Sequence, residues 1–82
     1  MQKNIIKIME LAIELKERGH HVFFDFSPHV GTITVRVFEN GWIKGKEANF
    51  NNHFYCYEND FTNKFKIATN FTMCIEYLEG LK

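Results

Sequence analysis

The chain carries four histidines and two cysteines, the residue types that most often bind transition metals or take part in nucleophilic catalysis. His53 and Cys56 have the spacing of some metal-ligand pairs, but on a β-strand residues three apart point to opposite faces. The sequence contains no Cys-x-x-Cys or His-x-x-x-His pair that could complete such a site. We therefore expect no bound metal and no cofactor, and we expect Cys56 and Cys74 to be buried thiols rather than a disulfide.

A catalytic group would have to combine His21, Asp25 and His53, which share one face of the sheet predicted below. His21 and Asp25 lie four residues apart on one strand, which separates them by about 13 Å. This is too far for a direct hydrogen bond, and no nucleophile elbow, phosphate-binding loop or paired-carboxylate motif is present. We expect no catalytic residues and a protein that is not an enzyme.

The composition is that of a single globular domain spanning residues 1–82, with 45% hydrophobic and 24% charged residues. Basic and acidic side chains number 10 each, so the net charge is zero, which is unfavourable for sequence-independent binding to nucleic acid. No apolar run approaches the ~20 residues of a membrane span, and glutamates soon interrupt the apolar residues near the N-terminus. We expect no membrane association and a cytoplasmic location.

Two segments, residues 3–18 and 61–80, have the periodicity of amphipathic helices. In the first, apolar side chains fill a broad arc, and Gly19 stands where a left-handed C-terminal cap belongs. Asp60 is the expected N-cap of the second helix. Its predicted apolar stripe consists of Phe61, Phe65, Ala68, Phe71, Ile75 and Leu78.

Alternating apolar residues predict three strands over about 20–26, 32–39 and 53–58. In the third strand, either Phe54 and Cys56 or Tyr55 and Tyr57 face the core. We prefer the first arrangement, because tyrosine tolerates a half-solvated face better than phenylalanine does. The polar residues of 44–52 predict a loop.

These elements predict a two-layer α+β domain of order α-β-β-β-α, with a three-stranded antiparallel sheet and both helices on one sheet face. The other face is then open and aromatic, and such a face usually contacts another molecule. Aromatic residues and arginine are enriched at the centres of protein interfaces, so we expect a protein partner or a homodimer. The expected partner-binding residues are Phe23, Arg36, Phe38, Trp42, Tyr55 and Tyr57. Alternatively, Trp42, Ile43 and the following loop fold back and cover this face.

The order of elements resembles that of the double-stranded-RNA-binding domain. In that family the connection between the first two strands carries a Gly-Pro-x-His motif, and a lysine cluster opens the second helix. Ser27-Pro28-His29 stands at the first position here, without the glycine, and Lys64 and Lys66 stand near the second. The resemblance implies RNA binding through Pro28, His29, Lys64 and Lys66 as an alternative function.

The chain is rich in Phe, Ile, Lys and Asn, whose codons are AT-rich, which indicates a genome such as that of a low-GC Gram-positive bacterium or its phages. Its brevity, and the run "ITVRVFENGW" followed by a helix ending "IEYLEGL", resemble small accessory proteins of Gram-positive phages and prophages. Its topology is similar to that of a type II-A anti-CRISPR inhibitor, which acts through an acidic surface that this neutral chain lacks. The resemblance implies a binder of a host or phage protein, such as a defence nuclease.

Overall fold

The computed structural model describes all 82 residues and contains two helices and three strands. In chain order they are α1 (Gln2–Glu17), β1 (His21–Ser27), β2 (Thr32–Phe38), β3 (Phe50–Tyr55) and α2 (Lys64–Gly80). The strands form one antiparallel sheet in the order β1-β2-β3, which confirms the predicted α-β-β-β-α arrangement. Neither helix combines the length and the apolar character that crossing a membrane requires.

Both helices pack on the same face of the sheet, which we call the inner face; the opposite side is the outer face. α1 contacts β1, α2 contacts β3, and the two helices contact each other. Alternate residues of the strands meet the helices in one continuous core, because successive strand side chains point to opposite faces. The core consists of Ile8, Leu11, Leu15, Ile33, Val35, Val37, Phe54, Cys56, Phe71, Cys74 and Leu78.

The third strand has the predicted orientation but begins earlier than predicted. Phe54 is buried on the inner face and Tyr55 points outward, as the preferred alternative requires. The strand starts at Phe50, whose ring stacks on Tyr77 at 4.4 Å between centroids, so the prediction of a loop through residue 52 is wrong. Asn52 fits on the inner face because its side-chain nitrogen donates to Asn70 Oδ1 at 3.2 Å.

α2 begins three residues later than the sequence pattern predicts, and Asp60 is not its N-cap. Asn63 is the N-cap, and its side-chain oxygen accepts a hydrogen bond from Lys66 N at 2.9 Å. The preceding residues form a tight turn in which Asn59 Oδ1 accepts from Phe61 N at 2.8 Å. Phe61 therefore lies outside the helix and, contrary to the predicted stripe, is exposed.

α1 buries only part of its broad apolar arc. Ile8, Leu11 and Leu15 are fully buried against the sheet and α2. Three further apolar side chains remain 49%, 52% and 67% exposed, and we call them the α1 apolar flank: Ile6, Met9 and Ile13. A two-layer domain offers a helix one sheet face and one neighbouring helix, which is too little surface to cover an arc of this width.

Candidate functional site

The outer face is organised in rows, because the strand register places one residue from each strand side by side. The three complete rows are Phe23–Arg36–Asn51, Asp25–Thr34–His53 and Ser27–Thr32–Tyr55. Phe38 pairs with His21 beyond the first row. The aromatic residues thus occupy two separate corners of this face, with a polar row between them.

The first corner is built around Arg36. Its guanidinium carbon lies 5.3 Å from the centre of the Phe23 ring, a cation–π arrangement that contributes roughly 0.5–1 kcal/mol at an exposed site. Arg36 Nη2 also lies 4.0 Å from Asp25 Oδ2, and both side chains are substantially solvated, so this ion pair contributes little to stability. The edge of Phe38 supports Phe23 at a centroid distance of 5.5 Å. The Phe23 ring is therefore the main contact of the guanidinium, and Asp25 adds a weak electrostatic attraction.

Phe38 was expected to contact a partner, but it is only 3% exposed and cannot do so in this conformation. The cause is the β2–β3 connection, whose residues Lys46, Glu47 and Ala48 line one depression together with Phe38. This segment is held down because Lys46 Nζ donates to Glu39 O at 2.7 Å, and its last residue donates from its backbone to β2. The β2–β3 connection therefore covers the outer face at Phe38 but leaves the rest of that face open.

Trp42 lies at the edge of the same corner and is half-exposed. Its backbone N donates to His21 Nδ1 at 2.9 Å, which fixes the start of the connection beside β1. Asn40 and Gly41 form the turn before it, both at positive φ, as the Asn-Gly dipeptide predicts. Because Trp42 is half-exposed, its role in partner binding stays a prediction.

The second corner contains Tyr55 and a residue that the sequence assigned to the core. Tyr55 is 38% exposed and stacks on Phe61 with a centroid distance of 6.4 Å. Phe61 and Phe65 are 76% and 79% exposed, and both line a depression of about 350 Å³ with Tyr55 and Lys66. The signal missed for Phe65 is a second apolar stripe, Ile67, Phe71, Cys74 and Leu78, which has helical spacing and is the face that α2 buries.

Tyr57 lies just beyond the end of β3 and is half-exposed. Its ring packs on the turn between β1 and β2, where a Cβ added to Gly31 would lie only 3.0 Å from Tyr57 Cδ2. Gly31 also has a positive φ of 68° and is required there on both counts. Tyr57 is thus an exposed ring near the second corner and away from Arg36.

The polar row between the corners interrupts any continuous aromatic platform. By strand rise and strand spacing, Phe23 and Tyr55 are about 16 Å apart. Thr34 Oγ1 and His53 Nδ1 share a hydrogen bond of 2.5 Å in the space between them. Consecutive nucleobases therefore cannot stack across this face as they do on RNA-recognition sheets.

The residues considered for catalysis are engaged separately rather than with one another. Asp25 pairs with Arg36, His53 with Thr34, and His21 accepts from a backbone N–H. No three His, Cys, Asp or Glu side chains are placed so that they could hold a metal ion.

Both cysteines are free and buried, and their chemistry is that of core residues. Burial raises the pKa of the Cys56 and Cys74 thiols above the usual value, which disfavours the nucleophilic thiolate. His53 is exposed while Cys56 is buried on the opposite side of the strand, as their spacing predicts.

The four residues of the RNA-binding alternative lie in two parts of the molecule. Pro28 and His29 are exposed in the turn between β1 and β2, and Lys64 and Lys66 are exposed in the first turn of α2. Lys64 and Tyr57 line one depression, which places the start of α2 near this turn. Lys66 instead lines the depression beside Tyr55 and Phe61, so only Lys64 is placed near this turn.

No protein-family model matches the chain, and neither the curated proteins nor the solved structures compared with it gave a match.

Proposed function

We propose that this chain is a non-enzymatic protein-binding module whose contact surface is the outer face around Arg36. The observation that carries the proposal is that Phe23 and the Arg36 side chain remain 37% and 42% exposed on the side opposite both helices, while Tyr55 is 38% exposed at the far corner. Large rings held at fixed positions on a rigid sheet lose little conformational freedom on binding, which favours association. Aromatic and arginine side chains are also the residues that dominate the binding energy of protein interfaces.

The arrangement around Arg36 favours a partner of particular chemistry. The Phe23 ring positions the guanidinium, with a weak contribution from Asp25, and leaves the side chain 42% exposed. A carboxylate of the partner can compete with Asp25 for this group through two parallel hydrogen bonds. The neighbouring ring edge of Phe23 and the half-exposed Trp42 then accept apolar side chains beside that carboxylate. The expected partner surface is therefore an acidic residue flanked by apolar ones.

The partner is proposed to be a host or phage protein in the bacterial cytoplasm, such as a defence nuclease. The support is the resemblance to small accessory proteins of Gram-positive phages, together with the AT-rich coding signature. The zero net charge favours contact through shape and rings over imitation of a polyanionic DNA surface.

The proposal is tested by photo-crosslinking in a lysate of a low-GC Gram-positive bacterium. A photoreactive residue replaces Asn51, which is exposed in the same row as Arg36, and a control chain carries it at Lys3 on α1. We expect one protein to be captured from the position of Asn51 and not from that of Lys3.

The captured protein is then purified and titrated against variants by calorimetry. We expect Arg36→Ala to weaken binding at least about tenfold, since interface arginines commonly contribute more than 1 kcal/mol, and Lys3→Ala to leave it unchanged. Equal capture from both positions, or equal affinity of the Arg36→Ala variant and the native chain, would contradict the proposal.

RNA binding is the second candidate, supported by the exposure of Pro28 and His29 in the β1–β2 turn and by Lys64, which lines a depression with Tyr57 beside that turn. Two lysines provide few phosphate contacts, and they lie at a helix N-terminus, where the helix dipole already attracts anions. A salt titration separates the two functions and is described in the Discussion.

A further inference from the structure

β1 is an edge strand whose outer backbone groups have no partner. Cys56 N donates to Gly31 O, and Asn49 N donates to Val37 O. The backbone N–H and C=O groups of the odd-numbered residues of β2 therefore point toward β3. The backbone groups of the even-numbered residues of β2 point toward β1, where the register pairs these residues with the odd-numbered residues of β1. The N–H and C=O groups that point away from the sheet therefore belong to Val22, Phe24 and Phe26. No other hydrogen bond of the molecule uses them.

Apolar side chains surround this free edge. Phe26 is 42% exposed although it is on the inner face. Ile13 of the α1 apolar flank shares a groove of about 380 Å³ with Val22 and Phe23 of β1. A strand that paired with β1 would thus also cover apolar surface on α1.

β1 itself carries few of the residues by which proteins usually protect a free strand, and the one lysine that lines the groove beside it, Lys16, belongs to α1. β1 reads "HVFFDFS", with no lysine, no proline and a single acidic residue. β3, at the other edge, is shorter and carries Asn51, Asn52 and His53 in succession, so it is the more polar of the two. β1 is therefore the edge at which an added strand would bury apolar surface.

We infer that a second copy of this chain pairs with β1 in antiparallel fashion, about a two-fold axis at Phe24. This forms a continuous six-stranded sheet with all four helices on one side. Phe24 lies opposite the partner's Phe24, and Val22 lies opposite the partner's Phe26, so the free backbone groups bond to one another. Each α1 apolar flank then faces its counterpart across the new strand pair. The symmetry is closed, so the assembly stops at two chains.

Charge complementarity selects this register. On the outer face it places Phe23 opposite the partner's Asp25. Since Arg36 already lies over Phe23, each guanidinium gains a second carboxylate from the other copy. A register centred on Asp25 would instead oppose two carboxylates, and one centred on Phe23 would leave Phe26 beyond the paired region.

The inference is tested first by measuring molar mass with light scattering at submillimolar concentration. The native chain is expected to have twice the mass of one chain. Phe26→Lys places a charge on the edge, Ile13→Glu places one on the exposed α1 flank, and both are expected to reduce the mass to one chain. Phe65→Lys, at an exposed phenylalanine beside β3 at the opposite edge of the sheet, is the matched control and is expected to keep the doubled mass. Circular dichroism establishes that each variant is folded.

The register is tested by disulfide formation between introduced cysteines. A mixture of the Phe23→Cys and Asp25→Cys variants is expected to form a cross-linked pair, while either variant alone is not. The inference would be overturned if the native chain had the molar mass of one chain. It would also be overturned if Phe65→Lys reduced the mass to one chain while Phe26→Lys kept the mass of two chains. Cross-linking of Asp25→Cys with itself would overturn the register. These measurements use the isolated chain, so their outcome does not depend on the proposed binding partner.

Discussion

The hydroxyl of Tyr77 donates a hydrogen bond to Oε2 of Glu39, which joins α2 to the beginning of the β2–β3 connection. The ring of Tyr77 also stacks on Phe50 at the start of β3. Burial and the neighbouring Glu39 carboxylate raise the pKa of Tyr77 to about 12. Three elements therefore meet at a phenol that must stay protonated.

This contact predicts a loss of stability at high pH. The unfolded chain releases the Tyr77 proton near the ordinary value of 10.0, whereas the folded chain holds it to about 12. The stabilisation is therefore complete below pH 10 and is lost as the pH rises through 12. Its size is on the order of 1 kcal/mol, since the side chain is only partly buried and water screens the pair. Urea denaturation at pH 8, 10 and 11.5 measures it.

The Tyr77→Phe variant is the control, because other tyrosines and the lysines also titrate in this range. The difference in unfolding free energy between the native chain and the variant is expected to shrink as the pH rises through that window. A difference that stays constant from pH 8 to 11.5 would show that the phenol proton does not stabilise the fold.

The N-cap of α2 gives a second prediction. Asn63→Ala removes the side chain that accepts from Lys66 N and is expected to destabilise the protein by about 1 kcal/mol. Asp60→Ala, at the residue that sequence pattern favours as the cap, is expected to change stability by less than about 0.5 kcal/mol. Thermal and urea unfolding compare the two variants, and a larger effect at Asp60 would contradict the cap assignment.

Core and surface phenylalanines in α2 are expected to differ strongly. Phe71 is 1% exposed and meets the Phe54 ring edge-on at 5.1 Å, so Phe71→Ala should destabilise the domain by about 3–5 kcal/mol. Phe65→Ala, at an exposed ring in the same helix, should have little effect on stability. A chain of this size has only a modest stability margin, so Phe71→Ala is expected to populate unfolded protein near room temperature. Similar midpoints for the two variants in urea would contradict the assignment of the core.

A salt titration distinguishes protein binding from RNA binding. With two lysines near the candidate RNA surface, the affinity for duplex RNA should be weak and should vary little with salt. Fluorescence anisotropy with a labelled RNA duplex measures how the affinity changes with salt concentration. The double variant Lys64→Ala, Lys66→Ala is expected to leave this salt dependence unchanged. Tight binding with a steep slope that the double variant reduces would establish RNA binding and would contradict the protein-binding proposal.

The strand positions and their faces could be predicted because alternation in β1 and β2 is regular and has one consistent solution. The ends of β3 and α2 could not. Asn59, Asp60 and Asn63 all have side chains that can cap a helix, and the choice between them depends on the turn that residues 59–62 form. Local sequence carries no information about which of three equivalent caps the tertiary structure uses.

The outer face was predictable as a surface but not in its detail. Phe23 and Phe38 both point to the outer face of the sheet. Phe23 is nevertheless exposed, whereas Phe38 is covered by the connection that follows β2. The difference arises from contacts of Lys46 and Asn49 with β2 and the residue after it, which are formed only in the folded chain. Phe61 is exposed because it lies before α2 begins, whereas Phe65 lies within α2 but off its buried stripe, which runs through Ile67, Phe71, Cys74 and Leu78.

Because both thiols are buried, the rates at which they are alkylated report local opening of the native chain. An alkylating reagent can reach the fully buried Cys74 only when the middle of α2 separates from the sheet, whereas Cys56, 4% exposed in a depression just beyond β3, needs only a local movement there. The ratio of the two alkylation rates therefore compares the opening of the segment just beyond β3 with that of the helix, with no label added to the protein. Equal rates at both positions would mean that this segment and the helix open together as one cooperative unit.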